Sequence, residues 1–136
     1  MLRGSCLCGG VKYQAEGPLA HIARCHCEQC RKASGSEFAC NASVPAAGFR
    51  ILEGEALLKQ FEWKPGEARV FCGNCGSPMF KRGASMPNMV RLRLGCLDVE
   101  IDTKPAFHVF VSEKPGWSEI TDALPQYERS VTAKPR

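Results

Sequence analysis

Seven of the nine cysteines in this 136-residue chain fall into three tight clusters, and those clusters limit the fold more than any other feature. They are Cys6-Leu7-Cys8-Gly9-Gly10, Cys25-His26-Cys27-Glu28-Gln29-Cys30 and Cys72-Gly73-Asn74-Cys75-Gly76. An odd count cannot pair fully within one chain, and nine in 136 lies below the roughly 8–10% that marks a short secreted disulfide scaffold. A chain of this length that is 44% apolar buries a real core without bridges. Soft thiolates on short chelating loops suit zinc in a tetrahedral site, so the clusters read as metal ligands.

Seven ligands divide most economically into a closed four and an open three, which is the distinction between structural and catalytic zinc. Cys25, Cys27 and Cys30 form one contiguous chelate, whereas the other two pairs are distant in sequence and need each other to reach four. Cys6, Cys8, Cys72 and Cys75 are therefore assigned to a structural zinc, and the chain is expected to carry two Zn2+. Residues two apart on an extended segment point the same way, so Cys6 and Cys8 can reach one ion, and glycines at 73 and 76 suit a tight knuckle. Two other divisions stay open. His26, His21 or His108 could close the second site, although His26 lies between two ligands and tends to point away; or one four-cysteine zinc could leave the rest as thiols. A redox role for Cys72 and Cys75 lacks the β-α-β context it needs. Cys40 and Cys96, in apolar strand-like settings, read as small core residues.

Short alternating runs punctuated by Gly and Pro recur along the chain, and no long 3.6-period stretch exists, which predicts an all-β domain. Strands are expected over 10–15, 38–44, 57–63, 69–71, 90–94 and 107–111, with Lys12, Arg91 and Arg93 on wet faces. Turns are expected at Gly17-Pro18, Lys64-Pro65-Gly66 and Lys114-Pro115-Gly116. Only Glu28 to Ser34, stopped by Gly35, reads as helix. Residues 1–136 are expected to form one domain, with 129–136 a polar tail. No apolar run long enough for a secretory signal or a membrane span is present, so a cytoplasmic protein is expected. Its net charge of +4 and pI near 8.6 fall short of the balance above about 9 expected of a dedicated nucleic-acid binder.

These motifs resemble, in order and over nearly the whole chain, the glutathione-dependent formaldehyde-activating enzyme family, whose domain is shared with centromere protein V. The matching segments are Gly4-Ser5-Cys6-Leu7-Cys8-Gly9-Gly10-Val11-Lys12-Tyr13, then Cys25 to Gly35, then Phe71-Cys72-Gly73-Asn74-Cys75-Gly76-Ser77-Pro78. Phe107 to Val111 and the stretch from Trp117 to Gln126 resemble the family's terminal segment. The resemblance implies a β-tent of coiled antiparallel sheets with at most one short helix. It also implies a structural zinc on Cys6, Cys8, Cys72 and Cys75 and a catalytic zinc on Cys25, Cys27 and Cys30. The implied chemistry is that of a carbon-sulfur lyase acting on the adduct of formaldehyde with glutathione.

On this reading an incoming thiol is deprotonated at the open metal position and adds to a small aldehyde. His26 and His108 are the candidate proton donors to the resulting alkoxide. Arg24, Arg31 and Lys32, and further off Arg91 and Arg93, are candidate contacts for the thiol substrate's charges. The rival reading is a non-catalytic zinc-binding domain for protein or nucleic-acid interaction. The scarcity of aromatics beyond core-patterned positions argues against nucleic acid, with Trp63 and Trp117 the exceptions.

Overall fold

The structure, a computed structural model, describes residues 1–131. Apart from one helix and short 3₁₀ turns, its regular elements among these residues are strands: β1 (Leu2–Ser5), β2 (Lys12–Ala15), β3 (Ala20–Cys25), β4 (Ala39–Pro45), β5 (Phe49–Glu53), β6 (Leu58–Lys64), β7 (Glu67–Cys72), β8 (Pro78–Gly83), β9 (Met89–Arg93) and β10 (Phe107–Val109), with α1 (Glu28–Ser34) between β3 and β4. The fold is all-β, as expected. The chain divides into two compact units, one of Met1–Ala20 and Ala42–Asp102, the other of His21–Asn41 and residues from Thr103 on.

In the first unit β1, β2 and β5 form an antiparallel three-stranded sheet. Strands β6, β7, β8 and β9 form an antiparallel meander, in which Pro65-Gly66 closes the β6–β7 hairpin. Side chains of these strands make the core together with Val44 of β4: Tyr13, Val70, Met79, Phe80 and Leu92, all essentially buried. Close packing leaves no room at Gly4, which faces Tyr13 across β1 and β2; a Cβ there would lie inside the Tyr13 ring. Along β7 the buried residues Ala68, Val70 and Cys72 alternate with half-buried neighbours, so strand pleat alone turns the Cys72 sulfur inward. Arg93, expected on the wet face, is buried, because the alternation set by Val90 and Leu92 breaks where β9 passes into the 3₁₀ turn Leu94–Cys96.

In the second unit β3 and β10 pair in parallel, with His108 opposite Arg24 and Val109 opposite Cys25. The sheet that contains this pair is thus not purely antiparallel, which two strands far apart in sequence permit because no tight hairpin joins them. Ala23, Cys25, Cys30, Ala39 and Val109 form this unit's core. Helix α1 begins with the Cys27 sulfur accepting from the Cys30 N–H and ends at Gly35, whose positive φ of 65° closes the last turn on the Arg31 carbonyl. Glu28 in its first turn and Arg31 and Lys32 in its last complement the helix dipole. The expected tail begins within the described chain, where the Arg129 carbonyl accepts from the Phe110 N–H; its residues from 132 on lie outside the described residues.

Candidate metal centres

Two groups of sulfurs converge among the described residues: Cys6, Cys8, Cys72 and Cys75 in the first unit, and Cys25, Cys27 and Cys30 in the second, each group with its sulfurs within 4.8 Å of one another. In the first group Cys6 Sγ stands 3.5 Å from Cys8 Sγ, which stands 3.8 Å from Cys72 Sγ. Those separations suit a tetrahedron of zinc–sulfur bonds of about 2.3 Å, whose edges are about 3.8 Å. Every cysteine is unbridged. The donor chemistry and the spacing both fit a soft divalent ion.

The first pair does not converge by the route expected. Strand β1 ends at Ser5, and Cys6 to Gly9 forms a turn closed by the Gly9 N–H on the Cys6 carbonyl at 2.9 Å. The turn, with exposed Leu7 at its tip, brings the two sulfurs to one side where an extended strand was expected to. The second pair sits in a knuckle in which the Gly76 N–H bonds the Cys72 carbonyl at 2.8 Å and Gly76 has a φ of 79°. Gly73 is needed for space instead, since a Cβ there would press on the Leu57 carbonyl at 2.8 Å.

Donors around this group favour thiolates. The Val11 N–H reaches Cys6 Sγ at 3.2 Å, and the Ser77 hydroxyl reaches Cys75 Sγ at 3.3 Å. The Ser77 hydroxyl, followed by the backbone N–H groups of Ser77 and Cys8, pushes the Cys75 thiol down to about 5. The Asn74 side chain leads in holding the Cys8 thiol below its ordinary value.

The three-sulfur group is built differently. Cys25 ends β3, Cys27 caps α1 and Cys30 lies on the first turn of the helix, so strand end, cap and helix face deliver the sulfurs in succession. Cys25 and Cys30 are buried, and no His, Asp or Glu among the described residues joins the group. Hydrogen bonds to the Cys27 and Cys30 sulfurs, then burial, push the Cys25 thiol up, because they favour its protonated form.

Both histidines singled out from the sequence lie beside this group, buried and bonded to each other through His26 Nε2 and His108 Nδ1 at 2.8 Å. Burial first, then the charges of His108 and Lys114, brings the His26 pKa down to about 4. Its Nδ1 has no partner, whereas His108 Nε2 lies 3.0 Å from Asp122. His21 sits apart from the sulfurs with a positive φ of 50°.

The basic candidates are all engaged. Arg24 pairs with Asp122 at 2.9 Å, Arg31 donates to the His26 and Glu113 carbonyls, and exposed Lys32 pairs with Glu28 at 2.8 Å. Arg91 donates to the Ser43 hydroxyl at 2.8 Å. Asp122 and Glu113 carried no motif in the sequence, since each meets its partners only once distant segments are brought together. Cys40 and Cys96 are half-buried rather than core, and Cys96 donates to the Pro78 carbonyl. Trp117 is exposed, while Trp63 lies half-buried against Arg69 and Lys81. None of the described helices is long and apolar enough to cross a membrane.

A family model described as glutathione-dependent formaldehyde-activating enzyme matches residues 1–113, which takes in both sulfur groups. Among solved structures, a Rhodobacter sphaeroides protein from a structural genomics programme superposes with a TM-score of 0.63 at 23% identity, covering 74% of this chain and 91% of its own. That likeness supports the fold. No protein of curated function matches the chain.

Proposed function

Because the chain belongs to the glutathione-dependent formaldehyde-activating enzyme family, we propose that it is a zinc-dependent enzyme of the carbon-sulfur lyase type, joining a glutathione-like thiol to formaldehyde or releasing the aldehyde from their adduct. The observation that carries this reading is the inequality of the two sulfur groups, four in one and three in the other. Four thiolates complete a structural site, whereas three leave a position for a ligand. Cys6, Cys8, Cys72 and Cys75 would hold the structural ion, and Cys25, Cys27 and Cys30 the catalytic one. Zinc bound there would supply a positive charge that favours thiolate over thiol at neutral pH.

In the addition the thiol gives up its proton, its sulfur lone pair forms the carbon-sulfur bond, and the carbonyl π pair moves to oxygen, where a proton arrives; release runs the same steps backwards. We assign that proton to His26, whose Nδ1 is unpartnered. Its buried Nδ1 lone pair is the atom we assign to take the adduct's hydroxyl proton in the release direction. His108, with both nitrogens engaged, supports His26 and does not reach substrate. Among the basic residues Lys32 is the one we assign to a substrate carboxylate. It is exposed, and its i,i+4 pair with exposed Glu28 is a solvent-screened surface pair, so it exchanges partners easily. We place the protein in the cytoplasm, whose reducing poise keeps clustered thiols available to metal.

Exchange between ¹³C-formaldehyde and its glutathione adduct, followed by NMR, tests the proposal. The zinc-loaded protein should accelerate exchange in proportion to its concentration, and Cys27→Ser should abolish the acceleration. Exchange at the uncatalysed rate with the metal in place would overturn the enzyme reading.

A further inference from the structure

Asp122 takes no direct part in the chemistry proposed above, yet it anchors a chain of hydrogen bonds that ends between two of the three clustered cysteines. Both its carboxylate oxygens lie 3.0 Å from His108 Nε2. His108 Nδ1 lies 2.8 Å from His26 Nε2, and His26 separates Cys25 from Cys27. The direction of the chain follows from its anchor. An ionised carboxylate can only accept, so His108 Nε2 carries the hydrogen; Nδ1 of the neutral ring is then a lone pair, and His26 Nε2 must donate to it. Arg24 Nη1, 2.9 Å from Oδ2, supplies Asp122 with a positive partner as well. The Leu124 N–H, 2.9 Å from Oδ1, completes the carboxylate's partners.

The backbone holds the same residues. The His26 N–H donates to the Val109 carbonyl at 3.0 Å, and the Arg31 side chain donates to the His26 carbonyl at 3.2 Å. The His108 N–H bonds the Pro125 carbonyl and its own carbonyl accepts from Tyr127, both at 2.9 Å, which ties β10 to the segment that carries Asp122.

We propose that Asp122 is a positioning residue for the three-sulfur group: through His108 it fixes the tautomer and orientation of His26, and so holds the loop that presents Cys25 and Cys27. The inference rests on the functional reading only in taking those sulfurs as a metal site. Partners that orient a metal's ligands from outside typically change its affinity 10- to 100-fold when removed. Among the described residues no other hydrogen-bond partner holds the ring: His26 Nδ1 is unpaired, and the Phe38 ring packs beside it with centroids 5.3 Å apart.

The test uses the full zinc-loaded chain labelled with ¹⁵N-histidine. Two-bond proton–nitrogen correlation spectra of the unsubstituted protein should show both His26 and His108 as the Nε2–H tautomer. In Asp122→Asn, His26 should lose that single tautomer, and chelator competition should find the three-sulfur metal held roughly 10- to 100-fold more weakly, with the four-sulfur metal unchanged. A hydrogen on Nδ1 of either ring in the unsubstituted protein overturns the inference whatever the variant does. So does an Asp122→Asn protein that keeps the three-sulfur metal as tightly, or loses both metals equally. If the unsubstituted protein binds no metal at the three sulfurs, the functional reading and the metal role of Asp122 fall together, while a correct tautomer pattern that shifts in the variant still shows Asp122 orienting His26.

Discussion

Ser77 does for the four-sulfur group, over a short distance, what Asp122 does for the other. Its hydroxyl lies 3.3 Å from Cys75 Sγ and accepts from the Leu7 N–H at 2.9 Å, joining the knuckle to the N-terminal turn. Ser77→Ala should weaken the four-sulfur metal by about 10-fold in chelator competition and leave the three-sulfur metal alone; equal affinities with and without the hydroxyl would show that the sulfurs suffice. Three carboxyls held low contribute to the response to acid, the first being Glu28, which the Lys32 ammonium holds below its ordinary value. The Ser85 hydroxyl and then its N–H hold Glu67 below the usual carboxylate range, and the Leu124 N–H and then His108 hold Asp122 there. A carboxyl depressed on folding adds stability that is complete above its unfolded value near 4 and is lost as pH falls through its lower folded value. Denaturant midpoints measured downward from about pH 4 should therefore fall, and fall less steeply in Glu67→Gln. A parallel decline in the two proteins would remove Glu67 from the account. At this scale the two sulfur groups were legible because convergence for chelation is a local matter of residue type and spacing. Asp122 was not, because a lone aspartate meets its histidine only after folding.

Short apolar-rich runs between turn signals could be read from the chain, and β2, β4, β6, β7, β9 and β10 fall near their expected places. The strands β1, β3, β5 and β8 went unread. Their sequences mix Gly, charged and apolar residues without strict alternation, and tertiary pairing decides them, as when Tyr13 fills the space over Gly4. The helix was legible because its stop, Gly35, is a backbone signal that does not depend on partners. The knuckle depends on glycine in the same way. Gly76→Ala should cost about 1–2 kcal/mol in denaturant unfolding of the metal-loaded protein, since its positive φ disfavours any Cβ. Gly95→Ala is the control: a Cβ there meets nothing within 4 Å, so the change should stay within about 0.5 kcal/mol. Equal effects at the two positions would mean that the knuckle's dihedral is not a constraint.

At the scale of the molecule, each sulfur group belongs to one of the two units, and the second unit is assembled from segments far apart in sequence. No linker or shift in composition marks that division in the sequence. The division would give metal in the two sulfur groups different consequences. Cys72 is wholly buried in the core of the first unit, so Cys72→Ser should unfold or aggregate the protein, since the binding energy of a structural ion is folding energy. Cys27 is only half-buried at the cap of a short helix, and Cys27→Ser should keep its strand signal by circular dichroism while binding close to one metal per chain instead of two. Equal loss of structure in both variants would make both sites structural. The central claim, that the three-sulfur group takes an external thiol, is tested most directly by loading the protein with cobalt and titrating it with glutathione. A fourth thiolate should raise the sulfur-to-cobalt charge-transfer absorption and alter the ligand-field bands, saturating at one glutathione per chain, and Cys27→Ser should show neither change. Spectra that glutathione leaves untouched in a protein holding two cobalt ions would contradict the account.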